Sequence, residues 1–216
     1  KALIRAIVLS DAYRQSSDRR DDLASDPDNR LLGRQNRFRL EAEAVRDCAL
    51  AAPGLLDSRI GGPSIVPPFP KEMPQGQFTA EAFKPPTKDR HRRGIYIHVQ
   101  RTLTHPSLAA LDAPDGNQPC ARRDRGSSPV QALALLNDPV FAEAARALGA
   151  KLLKEEESER LALGFRLCLG RAPTSDETAV LVDLVGRSRR PKVSEEAVWA
   201  GVARVLLNLD EFVNRE

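Results

Sequence analysis

Aromatic residues are scarce in this chain: seven Phe, two Tyr and one Trp make up 5% of its 216 residues. Tyr96 is the only ring between residues 84 and 125, where basic side chains are densest. That leaves no row of rings on which nucleic-acid bases could stack. Long apolar runs are also missing. None approaches the roughly 18 residues that a membrane-spanning helix needs, so no membrane span is expected. Cysteine is limited to Cys48, Cys120 and Cys168, with no Cys-x-x-Cys and no Cys-x-x-Cys-His. This stretch therefore carries neither a zinc ribbon nor its own c-type haem attachment. The three thiols are expected as two buried in helices and one in a loop. No nucleophile-elbow glycine pattern surrounds any serine, and no glycine loop is built to cradle a phosphate. His91, His98 and His105 fall seven residues apart with no acidic residue at ligand spacing, so no metal site is expected.

What is present is apolar content of 41%, too high for global disorder, with a formal net charge of only +3. The length suits one sizeable domain or two small ones. The charge is local: residues 1–108 carry 18 basic and 13 acidic side chains, residues 109–216 carry 15 and 17. Of the 33 basic residues 26 are arginine, whose planar fork suits carboxylate pairing better than lysine does. The chain opens at Lys1 with no initiator methionine and is expected to be one piece of a longer protein.

Periodicity and punctuation predict a mainly α domain with a small β element and a long proline-rich irregular segment. One domain over 1–216 is expected. It comprises N-terminal helices (1–52), a proline-rich wrap (53–90), a strand with arginine-rich loops (91–125) and a C-terminal helical bundle (126–216). Leu3, Ile4, Ile7 and Val8 give residues 1–15 an amphipathic helical spacing. Asp26-Pro27 is expected to open a short helix. A further helix is expected over 37–52, stopped by Pro53-Gly54. Residues 53–86 hold eight of the 16 prolines and lose all periodicity. Gly94 to Val99 alternates like a strand, whose partner is sought near Ile65-Val66 or elsewhere in the parent chain.

Beyond residue 106 the stop and start signals are clean. A short helix is expected from Pro106 to Leu111. Ser128-Pro129, Asp138-Pro139, Thr174 with Glu177, and Ser194 then open successive helices. In the last of these, Val198, Val202, Val205, Leu206 and Leu209 are expected to face the core.

Two clusters could carry chemistry. Asp112 and Asp115 flank a Pro-Asp-Gly turn, where carboxylates three residues apart could work as a general acid and base. In such turns aspartates also serve local backbone hydrogen bonds. Residues 84–125 hold nine basic and four acidic side chains, among them Arg92, Arg93, Arg122, Arg123 and Arg125. These either grip an anion or pair with Asp112, Asp115 and Asp124. Cys120, Asn137 and Asp138 complete the polar positions between helical segments.

The order of several motifs resembles one family. They run from Asp26-Pro27-Asp28-Asn29-Arg30-Leu31-Leu32 through Arg39 to Asp47 and Gly61-Gly62-Pro63-Ser64. Arg92-Arg93-Gly94-Ile95-Tyr96, Asp112-Ala113-Pro114-Asp115, Cys120 with Arg122-Arg123, and Pro129 to Leu133 follow. Leu136 to Pro139, Leu169 to Thr174, and Leu206 to Asn208 with Glu211-Phe212 close the set. Together they resemble the planctomycete domain-of-unknown-function family fifteen-fifty-three, the PSD-one domain. The chain departs from it at Gly126-Ser127-Ser128, where the family shows a threonine pair, and at Thr104-His105-Pro106.

The resemblance implies a domain that lies C-terminal to another of unknown function, in a large exported protein, periplasmic or surface-bound. Many such proteins carry a c-type-cytochrome-like domain, so haem is expected in a neighbouring domain and no cofactor in this segment. The expected partners are other domains of the parent chain, including a c-type cytochrome domain. No catalytic residue transfers from the family. The expected role is that of a structural or interaction module. The alternatives are an enzyme acting on an anionic polysaccharide through Asp112 or Asp115, and a nucleic-acid binder displaying its arginines.

Overall fold

A computed structural model describes residues 1–18, 26–69, 89–99 and 104–215. The domain is mainly α, with a two-strand ribbon as its only sheet among the described residues. Its centre is an antiparallel-like pair of long helices, α5 (Pro139–Leu152) and α8 (Glu195–Leu207), which share the most extensive packing in the chain. They approach so closely because Gly149 has no side chain. A Cβ there would lie 2.6 Å from the Ala200 backbone nitrogen. Phe141, Leu148 and Leu152 from α5 meet Trp199, Val202 and Leu206 from α8, all buried.

The helix starts follow from the sequence. Asp138 accepts a hydrogen bond from Val140 N at 2.9 Å, capping α5 behind Pro139. Thr174 and Glu177 form a reciprocal capping box at the start of α7 (Ser175–Ser188). Ser194 caps α8 through Ala197 N. α6 (Glu157–Leu169) ends at Gly170, whose φ of 74° is the left-handed stop that glycine adopts cheaply. Arg171 then joins the α6–α7 turn to α9 (Asp210–Val213) through two-pronged contacts to Glu177 and Glu211.

Around this pair sit α2 (Ala42–Ala51), α3 (Pro106–Ala110) and α4 (Pro129–Asn137). β1 (Phe38–Arg39) pairs antiparallel with β2 (Asn214–Arg215), setting residues 38 and 215 opposite each other.

Several expectations are corrected. The helix foreseen over 37–52 begins only at Ala42, because Phe38 and Arg39 are drawn into the ribbon and Leu40 N donates to Val213 O at 2.8 Å. Asp26-Pro27 opens a turn rather than a helix. Asp26 accepts from Arg30 N and Leu31 N, while Asn29 and Leu32 take positive φ, which breaks helical continuation. Gly94–Tyr96 is a single 3₁₀ turn, since Gly94 presses its backbone against Glu43 and a Cβ would lie 2.8 Å from Glu43 Cα. Only Ile97 makes a strand-like contact, a parallel bridge to Ile65, where the partner was sought.

The first helix, α1 (Ala2–Val8), is shorter than the expected 1–15 and buries none of its residues. Cys48 is exposed rather than buried, and Val205 is 37% exposed rather than facing the core. The irregular wrap is seen over 53–69, which holds only single bridges to residues 92 and 97. The rest of that expected segment, residues 70–88, lies outside the described residues.

Candidate functional site

The arginine-rich middle is organised from α2. Its buried stripe includes Ala42, Val45, Ala49 and Leu50, and also Arg46, which is 2% exposed. A guanidinium on an apolar face must find hydrogen-bond partners. Arg46 Nη1 donates to Arg92 O at 2.6 Å and Nη2 to Arg90 O at 2.7 Å. Burial pulls its pKa down, and Asp47, Asp138 and Glu143 pull it back up.

Arg92 is clamped in turn. Its guanidinium donates to Pro63 O at 2.7 Å and to Gly61 O, and stacks 3.9 Å over the Tyr96 ring. Gly61 N donates to the Tyr96 hydroxyl at 2.6 Å. Gly61 and Gly62, at φ of 82° and 88°, provide the left-handed turns that let the backbone wrap Arg92. The Gly-Gly-Pro motif is thus a collar around an arginine.

The neighbours are tied down as well. Arg93 Nε meets Asp47 at 3.0 Å, and the other oxygen of Asp47 accepts from Gly94 N at 2.6 Å. Arg90 and His91 both reach Glu143 Oε1, at 2.6 and 3.0 Å. Arg59 bridges Asp57 and Asp89.

Asp112 and Asp115 occupy different settings. Asp112 has a φ of 61°, and its Oδ2 accepts from Gly126 N at 2.9 Å and from Gln131 Nε2 at 2.8 Å. It ties the 112–126 loop to the start of α4. Asp115 accepts from the backbone and side chain of Asn117, and these bonds hold its carboxyl below the ordinary range. Among the described residues, no arginine forms an ion pair with Asp112, Asp115 or Asp124, the pairing one reading of the sequence expected. Arg90, Arg93, Arg123 and Arg125 pair instead with Glu143, Asp47, Glu43 and Glu41, which lie on or beside α2 and α5.

Asp138 is buried behind α5. Burial raises its carboxyl, against lowering by Val140 N and Arg46. Asn137 bonds back to Leu133 O at 2.9 Å.

Arg122, Arg123 and Arg125 line an open groove of about 720 Å³ with Glu41 and Cys120. Cys120 Sγ donates to Arg122 O at 3.2 Å. Arg123 meets Glu43 at 2.8 Å and Glu41 at 3.2 Å. Arg125 meets Glu41 at 3.3 Å and covers the Phe38 ring. Arg122 is exposed and makes no ion pair among the described residues.

The three histidines do not meet at one point. His91 joins Glu143, while His98 and His105 line one pocket of about 220 Å³. His105 is buried against Ser107 and Pro68, and burial pushes it down to about 4. Among the described residues, no group of three or more His, Cys, Asp or Glu could hold a metal ion. No described helix is long and apolar enough to cross a membrane.

Sequence reasoning missed Arg46, the residue on which this arrangement turns. Its signal was an arginine between Val45 and Ala49 on an otherwise apolar stripe.

No curated protein matches the chain, and no solved structure does. A family model matches residues 1–185, spanning the motif order from the first helix through α6 and most of α7. The chain therefore belongs to the PSD1 family, proteins of unknown function (DUF1553).

Proposed function

We propose that this domain is a non-catalytic structural and interaction module of a larger exported protein, docking onto other domains of its parent chain. The observation that carries the reading is how the arginines are spent. Arg46, Arg90, Arg92 and Arg93 hold internal carbonyls and carboxylates, fixing an irregular excursion onto α2 and α5. An arginine committed to the fold has little left for a substrate.

Asp112 and Asp115 support the same reading, since each carboxylate is engaged by backbone and amide groups of its own loop. A surface for docking is also available. Leu3, Ile4 and Ile7 of α1 are 73, 65 and 50% exposed on a helix that buries nothing, and such an apolar face is the usual mark of an interaction site. The c-type cytochrome domain with its haem, and the export of the parent, belong to this proposal through the family resemblance.

Hydrogen exchange tests it. The α1 amides should exchange freely in this chain alone and become protected in the intact parent protein. Equal exchange in both would overturn the docking role.

A further inference from the structure

The groove beside Glu41 differs from the other arginine contacts of the molecule. A well-matched pair is seen at Arg171, which grips Glu177 with two prongs at 2.7 and 2.9 Å. At the groove, two arginines share the single carboxylate of Glu41 through one nitrogen each, Arg123 to Oε2 at 3.2 Å and Arg125 to Oε1 at 3.3 Å. Those are long for charge-assisted contacts, and neither is a fork on a fork. Glu41 is also well exposed, with 44% of its side chain open to solvent. It stands at the N-cap of α2 yet makes no capping bond with its side chain.

We propose that this groove is an oxyanion-binding site for a sulfate or phosphate group, held shut by Glu41 as its resident counter-ion. Two guanidinium groups already converge on one anionic group there, so the arrangement for receiving one exists. Displacing Glu41 leaves both in place, because Arg123 is still held by Glu43 at 2.8 Å and Arg125 by the Phe38 ring at 4.8 Å. A tetrahedral group offers more acceptor oxygens than a carboxylate. Its spare oxygens suit Arg122, which lines the same groove and makes no ion pair among the described residues. The contacts to be broken are exposed ion pairs, which are weak and screened by salt.

The test is titration calorimetry at low ionic strength with inorganic sulfate. Glu41→Gln should bind about fivefold more tightly than the wild type, the scale of losing a weak surface pair as competitor. Arg125→Ala should lose binding, and Arg190→Ala, remote from the groove, should leave it unchanged. Arg122→Ala lies in an exposed loop and should weaken binding severalfold, which keeps the test decisive if Glu41→Gln fails to fold. A chondroitin sulfate hexasaccharide following the same ranking more tightly assigns the group to a polymer. Binding of sulfate alone assigns a free ion. Equal affinity in the wild type, Glu41→Gln and Arg125→Ala means an adventitious ion only and overturns the proposal. So does single-stranded DNA binding that ignores Arg125. None of these outcomes bears on the exchange of α1, so the docking role stands or falls separately.

Discussion

The C-terminal helices and the arginine-clamped middle are held together by different means. From α4 to α9, packed helices bury Phe141, Leu148, Phe165, Trp199 and Leu206 in one apolar core, and non-directional apolar burial supplies the cohesion. Among the described residues from 57 to 69 and from 89 to 98, regular structure is limited to isolated bridges and 3₁₀ turns. There the chain is held by guanidinium groups reaching backbone carbonyls. The difference teaches that an irregular segment, whose carbonyls lack ladder or helix partners, borrows donors from a neighbouring helix. Arginine suits that task, because one side chain carries five donors.

The two regions should fail differently when struck. The largest effect is expected in the helical half. Gly149→Val would place side-chain atoms into the Trp199–Ala200 backbone, and the overpacking should cost about 3 kcal/mol or more. Thermal melting should show a single transition shifted far down.

In the middle, Arg46→Met keeps most of the apolar stem but strands the carbonyls of Arg90 and Arg92. Their desolvation without partners should cost about 2–3 kcal/mol in denaturant titrations.

Acid sharpens the contrast further. His105 has a folded pKa of about 4 against 6.5 unfolded, so the unfolded chain takes up the proton first. Stability should fall as pH drops below 6.5, by on the order of 2 kcal/mol by pH 5. The groups around it are Arg46, Ser107, the Phe69 ring and the carbonyls of Pro67 and Pro68, and His98, Glu43 and Arg123 line the same pocket. Asp138, whose folded pKa is raised by burial, acts in the opposite sense. It returns stability as pH falls through that raised value toward 3.8. Glu177, lowered to about 2 by Arg171, contributes stability that is lost only below about 4.5. His105→Gln should therefore flatten the melting-temperature profile between pH 6.5 and 5, and an unchanged slope would contradict the assignment.

The smallest effect belongs to a cap. Thr174→Ala removes one half of the α7 capping box and should cost about 1 kcal/mol without altering the middle.

How much of this was legible in the sequence divides along the same line. The helix starts at Asp138, Thr174 and Ser194 were readable because a cap is local: the residue and its partner lie within three positions. The stop at Pro53-Gly54 was readable for the same reason. The site was not legible in that way. Arg92 finds its acceptors about thirty residues back at Gly61 and Pro63, and Arg123 finds Glu43 eighty residues away. No local pattern encodes such pairings, so the nearby Asp112 and Asp115 drew the expectation instead. Gly94 misled for a related reason. Its stretch alternates like a strand, but contact with Glu43 from a distant helix decides its shape.

The central claim is that Arg46 holds the irregular middle onto a separately stable helical core. Native-state hydrogen exchange on Arg46→Met tests it most directly. The amides of Asp57, Ile65 and His98, which bond across the middle, should lose protection by orders of magnitude. Those of α5 and α8 should change only as much as global stability does. A uniform loss across both regions, or protection of Ile65 and His98 equal to that in the wild type, would contradict the account.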